Sequence, residues 1–176
     1  NYILGFYLKK NLALTGMMGV GKSTIGTDLS KKLIMQFSDI DRIIEKKLKM
    51  SIKDIFNKKG EFFFREFEEK ITLQENKKSN IIISLGGGAF INSKIRKSIL
   101  ANCKSFWLDM DIKSLEKRLV KSKARPLLDG KNLRETLLKI YKERKNTYAM
   151  ANYRINCDKL SVNILTNKII KIYADN

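Results

Sequence analysis

The octapeptide Gly16-Met17-Met18-Gly19-Val20-Gly21-Lys22-Ser23 constrains this chain more than any other feature. It satisfies G-x-x-x-x-G-K-[ST], a pattern that requires a strand in front and a helix behind. Both are legible. Leu12-Ala13-Leu14-Thr15 is a short apolar run, and an amphipathic helical pattern starts at Lys22. Glycines let successive backbone N–H groups converge on an anion, and the helix N-terminus adds the positive end of its dipole. Lys22 is placed to reach β- and γ-phosphates, and the Ser23 hydroxyl to hold Mg²⁺. The competing reading, a Gly-rich turn without a ligand, leaves the strand–loop–helix order unexplained. A nucleoside triphosphate is the expected ligand.

The rest of the chain continues the alternation. Strands are predicted over 12–15, 34–38, 81–85, 105–109 and 153–156. Helices are predicted over 22–33, 41–48, 51–57, 61–76, 92–101, 112–120, 132–149 and 161–173, the 51–57 helix opening on a capping box at Ser51-Ile52-Lys53-Asp54. This order predicts an α/β fold: one domain, with a parallel sheet covered by helices on both faces. A length of 176 residues suits one such domain. The domain is expected over residues 11–176, with 1–10 as an N-terminal extension. Six of the ten glycines fall in two clusters, Gly16/Gly19/Gly21 and Gly86/Gly87/Gly88. The single proline, Pro126, lies in the polar segment 121–131, which reads as a mobile loop.

Composition removes whole classes of chemistry. Histidine is absent, which excludes His-based triads, His-ligated metals and imidazole acid–base catalysis. Cys103 and Cys157 lie far apart with no CxxC spacing, as in a structural pair of thiols in a reducing compartment. No secretion pattern and no membrane-length apolar run is seen, so a cytoplasmic chain without membrane attachment is expected. A net charge of +18 suggests a polyanion. Yet 28 lysines against 8 arginines, scattered as doublets without interleaved aromatics, read as a solvated surface that draws in small anions rather than nucleic acid.

Some acidic and basic residues stand out by position. Asp39 and Asp41 lie two apart after the second strand, on one face of extended backbone and at the end of the sheet where such folds bind ligands. Alternatively, Asp41 caps a helix and Asp39 is a turn residue. Asp109 ends another apolar strand, as a Mg²⁺-linked acid or an ordinary terminal Asp. Arg144 falls within about 40° of Leu133, Leu137, Ile140 and Tyr148 on a helical wheel, so it points inward with the apolar stripe. An inward guanidinium needs an anion, either an internal carboxylate or a ligand carboxylate or phosphate. Arg65 flanks a Phe64/Phe67/Ile71 stripe and could pair with Glu61 or Glu69 at i±4. Arg125, in the loop before Pro126, is an exposed charge or a cation that closes over phosphates.

Read in order, GMMGVGKST, DID, SIKDIFNKKGE, Phe64-Arg65…Glu68, SLGGG, WL, ARPLL and ERKNTY resemble the shikimate kinases, from about Leu12 to Tyr148. That resemblance implies a P-loop kinase fold with a lid near 121–131, working as a monomer. It implies transfer of the ATP γ-phosphoryl group to the 3-hydroxyl of shikimate, in aromatic amino-acid biosynthesis, with Mg²⁺. By family pattern Gly19, Val20, Gly21, Lys22, Ser23 and Thr24 hold ATP, and Ser23 and Asp39 serve the metal. Arg118 lies near adenine and Arg125 swings onto the phosphates. Asp41 binds and orients or deprotonates the attacking hydroxyl, Arg65 and Arg144 hold the carboxylate, and Gly86, Gly87 and Gly88 line the ring. Asp41, Lys22 and Arg125 form the implied catalytic set. Two rivals are another small-molecule kinase, for gluconate or a nucleotide, and a nucleic-acid-stimulated NTPase.

Overall fold

A four-residue run of isoleucines and serine, Ile81–Ser84, is buried on both sides, which only a strand inside a doubly covered sheet achieves. In the computed structural model, which describes residues 10–121 and 132–175, it is β3 of a five-stranded parallel sheet. The strands are β1 (Asn11–Thr15), β2 (Gln36–Asp39), β3, β4 (Cys103–Asp109) and β5 (Tyr153–Asn156), in the spatial order β2-β3-β1-β4-β5. β1 lies at the centre, with Leu12 opposite Ile82 on one side and Lys104 on the other. Parallel pairing places all five carboxyl ends on one rim, and the loops that leave β1, β2 and β3 meet there.

The helices are α1 (Lys22–Leu33), α2 (Ile40–Leu48), α3 (Ile52–Glu75), α4 (Ser93–Asn102), α5 (Ile112–Lys121), α6 (Leu133–Tyr148) and α7 (Val162–Ala174). Leu12, Leu14, Leu29, Ile82, Phe106 and Ile169 are among the fully buried apolar residues that fasten them to the sheet. Among the described residues, no helix is long and apolar enough to cross a membrane.

Most element ends fall within one or two residues of expectation, β4 for instance starting at Cys103 rather than 105, and two differences have a clear backbone cause. The second strand begins at Gln36, not residue 34: Ile34 takes a left-handed conformation, ends α1 by donating its N–H to the Ser30 carbonyl, and is 86% exposed. The two helices expected over 51–57 and 61–76 are one element, α3, bent at Gly60 with φ 83° and ψ 165°. Ser51 does cap its start, accepting from the Asp54 N–H. The predicted lid at 121–131, apart from the last residue of α5, lies outside the described residues, and Arg125 with it.

Candidate active site

After β1 the chain turns through glycines that carry positive φ, 137° at Gly16, 78° at Gly19 and 104° at Gly21. At Gly16 the need for glycine is also steric: a Cβ would lie 2.3 Å from the Leu108 carbonyl oxygen. The loop therefore rests directly on β4, and α1 starts at Lys22. Lys22 is buried and curls back, donating to the carbonyls of Gly16 at 2.8 Å and Met17 at 2.9 Å. Ser23 donates its hydroxyl to Asp39 Oδ2 at 2.5 Å. Val20 is fully buried, and its carbonyl accepts from Arg118 Nη1 at 3.2 Å, which brings α5 against the loop. A cavity of about 550 Å³ lies here, lined by Gly19, Gly21, Lys22, Ser23, Thr24, Asp39 and Asp41 among others.

Asp39, not Asp41, is the N-cap of α2: it ends β2 with extended φ and ψ and accepts from the Arg42 N–H at 3.3 Å. Asp41 sits in the first turn of that helix and faces a second cavity of about 240 Å³. Arg65, Glu68, Gly87, Gly88 and Arg144 line it, with Met18, Ile52, Phe56, Phe64 and Ile140 as apolar wall. α6 delivers Thr136, Ile140 and Arg144 one turn apart to this cavity, as the wheel position of Arg144 requires. Among the described residues, Arg144 does not spend its charge on an internal carboxylate in contact; it donates Nη1 to the Gly87 carbonyl at 2.9 Å.

Arg65 pairs with Glu61 at 3.2 Å, one of the expected partners, and with Glu68 at 2.8 Å; Glu69 instead binds Lys94 and Asn92. Its guanidinium also lies 5.1 Å from the Phe64 ring centre and 5.9 Å from that of Phe56. Burial opposes its charge, but the Glu68 and Glu61 carboxylates together outweigh this and hold its pKa up. The glycine triplet makes room for these groups. A Cβ on Gly86 would meet Glu68 Oε1 at 2.5 Å and Asp41 Oδ1 at 2.7 Å, and one on Gly88 would meet Arg65 Nη1 at 2.7 Å. Two carboxyl groups and a guanidinium thus close on one stretch of bare backbone.

The sequence singled out neither Glu68 nor Tyr148 as a site residue. Glu68 is 1% exposed, and burial pushes its carboxyl above the ordinary range, with Asp41 adding to the rise and Arg65 and Arg144 opposing it. The signal lay in its i+3 spacing from Arg65. Asp109 is not free for a metal: it accepts from Arg154 Nη2 at 2.6 Å and from Tyr141 at 3.2 Å. No cluster of three or more His, Cys, Asp or Glu that could hold a metal occurs among the described residues. A donor set of one hydroxyl and one carboxylate, Ser23 and Asp39, is chemically suited to Mg²⁺, which keeps several waters and leans on substrate phosphates.

Comparison with known proteins gives the family and the fold. The family model described as shikimate kinase matches residues 18–174. The chain is 41% identical over 161 residues to the shikimate kinase of a Sulfurihydrogenibium species, covering 92% of this chain and 96% of that one. It is 38% identical over 171 residues to the shikimate kinase of Bartonella henselae, covering 97% and 81%. The structure of shikimate kinase from Acinetobacter baumannii in complex with shikimate superposes with a TM-score of 0.90 at 30% identity, over 95% of this chain and 94% of that chain.

Proposed function

The chain belongs to the shikimate kinase family, an ATP-dependent kinase family, and on that premise we propose how its own residues transfer the γ-phosphoryl group of ATP to the 3-hydroxyl of shikimate. The observation that carries the assignment of roles is a shared wall. Asp41 and Met18 line both the phosphate-loop cavity and the smaller one with two guanidinium groups, so the two adjoin at the carboxylate. Phosphoryl transfer needs an alcohol in line with the γ-phosphorus and neutralised charge around it, with little covalent help.

Residues 19–24 hold the triphosphate, with Lys22 leaving its loop carbonyls for β- and γ-oxygens, and Arg118 lies towards adenine. Ser23 and Asp39 hold Mg²⁺, which when bound neutralises phosphate charge. Arg65 and Arg144 grip the shikimate carboxylate, each with a planar fork matched to it. Gly86, Gly87 and Gly88 allow the ring to lie against backbone. Asp41 accepts a hydrogen bond from the 3-hydroxyl and receives its proton as the new P–O bond forms and the bond to the β-phosphate oxygen breaks. Glu68 keeps Arg65 in place. Arg125 is assigned to the phosphates on its sequence motif alone. The sequence reading of a monomer is kept as part of this proposal, and two unpaired thiols favour the cytoplasm.

The test is Arg144→Lys, which keeps the charge and loses the fork. The KM for shikimate should rise about tenfold or more, with the KM for ATP within about twofold. Equal losses for both substrates would make Arg144 structural, and ADP release stimulated by another acceptor but not by shikimate would overturn the substrate.

A further inference from the structure

Tyr148 ends α6 one turn after Arg144 and is fully buried. Its hydroxyl donates to the Gly87 carbonyl, the same oxygen that Arg144 Nη1 reaches at 2.9 Å. A carbonyl has two lone pairs, and here both are used. Gly87, Arg144 and Tyr148 form a triangle around that oxygen, so the guanidinium is held by an uncharged acceptor, and among the described residues no carboxylate forms an ion pair with it. A guanidinium has five N–H donors, and Arg144 also lines the acceptor cavity.

The triangle touches the phosphate loop as well. Tyr148 Oη lies 4.0 Å from Met17 Sδ, and Met17 is one of the two carbonyl acceptors of Lys22. A Cβ on Gly87 would sit 3.4 Å from the Met18 nitrogen and 3.8 Å from the Gly16 oxygen. Burial pushes the phenol above its usual range, which keeps it a donor, while the charges of Arg144 and Arg65 pull the other way.

We propose that Tyr148 is a positioning residue for the acid end of the acceptor site: its hydroxyl holds the Gly87 carbonyl and, through that oxygen, sets the Arg144 guanidinium for a carboxylate. The proposal rests on the reading of Arg144 as a carboxylate anchor. Tyr148→Phe keeps the ring and removes only the donor. Its KM for shikimate should rise roughly three- to tenfold, the loss expected for one hydrogen bond, with kcat and the KM for ATP within about twofold. Trp107 is the chain's single tryptophan and its ring centre lies 6.0 Å from that of Tyr148, so fluorescence titration gives the shikimate Kd directly, without turnover. That Kd should weaken in step with KM. A 3-fluorotyrosine at position 148 retains the hydroxyl and should bind shikimate within about twofold of the parent.

An unchanged shikimate KM in Tyr148→Phe overturns the proposal. So does a parallel loss for both substrates with a lowered Tm, which would make the hydroxyl mere packing, and so does a fluorotyrosine variant that weakens as much as the phenylalanine one. If Arg144→Lys weakens shikimate binding and Tyr148→Phe does not, only this inference fails. If neither does, the carboxylate reading fails with it.

Discussion

Glu68 stands between a guanidinium and a second carboxyl group, with Oε2 on Arg65 and Oε1 buried without a hydrogen-bond partner among the described residues. The folded chain therefore holds its proton more tightly than the unfolded chain does. By linkage, a carboxyl raised in this way lowers stability as pH climbs from the ordinary glutamate range through the folded value. Glu68→Gln should lack that decline, so its urea midpoint should gain on the parent as pH rises above the ordinary glutamate range. A difference between the two that does not change with pH would show that the carboxyl is not raised. Glu75 has the opposite sign. Burial pushes its carboxyl up, but hydrogen bonds from Lys78 and Ser38 outweigh that and hold it low, so its contribution is full above the ordinary value and fades in acid. Arg144 was legible as an inward cation because helical periodicity alone fixes its direction. Arg65 was not, since Glu61, Glu68 and Glu69 all fall within a turn of it, and choosing among them takes the packing of Phe64 and the nearness of Gly86.

At the scale of the element, the bend in α3 shapes the acceptor cavity. Ile52 and Phe56 come from before Gly60, and Phe64, Arg65 and Glu68 from after it, so the angle at that residue decides how the two groups face each other. A Cβ at Gly60 would touch nothing within 4 Å, so the reason for glycine is the backbone alone. Its φ and ψ fall in a region other residues enter only with strain. Gly60→Ala should cost about 1–3 kcal/mol in urea unfolding and raise the KM for shikimate more than that for ATP. A stability loss with both KM values unchanged would show that the bend does not set the cavity. From sequence the break read as a gap between two helices, because a glycine flanked by helical patterns signals interruption without giving the angle. The start of β2 failed for a similar reason: the β-branched Ile34 suits a strand, but here it ends a helix in a left-handed conformation that local propensity disfavours.

For the whole molecule, the sheet and its order of elements were legible because each strand is a short apolar run between helical patterns, and a parallel sheet buried on both faces demands that. Strand order was not, since the place of β3 between β1 and β2 depends on contacts far apart in sequence. The same burial shelters both thiols. Cys103 and Cys157 are buried, and desolvation pushes each thiol to about 12. Neither should react with an aromatic disulfide reagent near pH 8 while the protein is folded, and both should react on unfolding; fast labelling of the native protein would contradict the packing around them. The rim opposite the two cavities carries the exposed turn at Ser79, just ahead of β3. A cysteine introduced there would be the quick-reacting handle on a molecule whose own thiols are shut away, so a dye or a solid support could be joined to it with the mouth of the crevice facing outward.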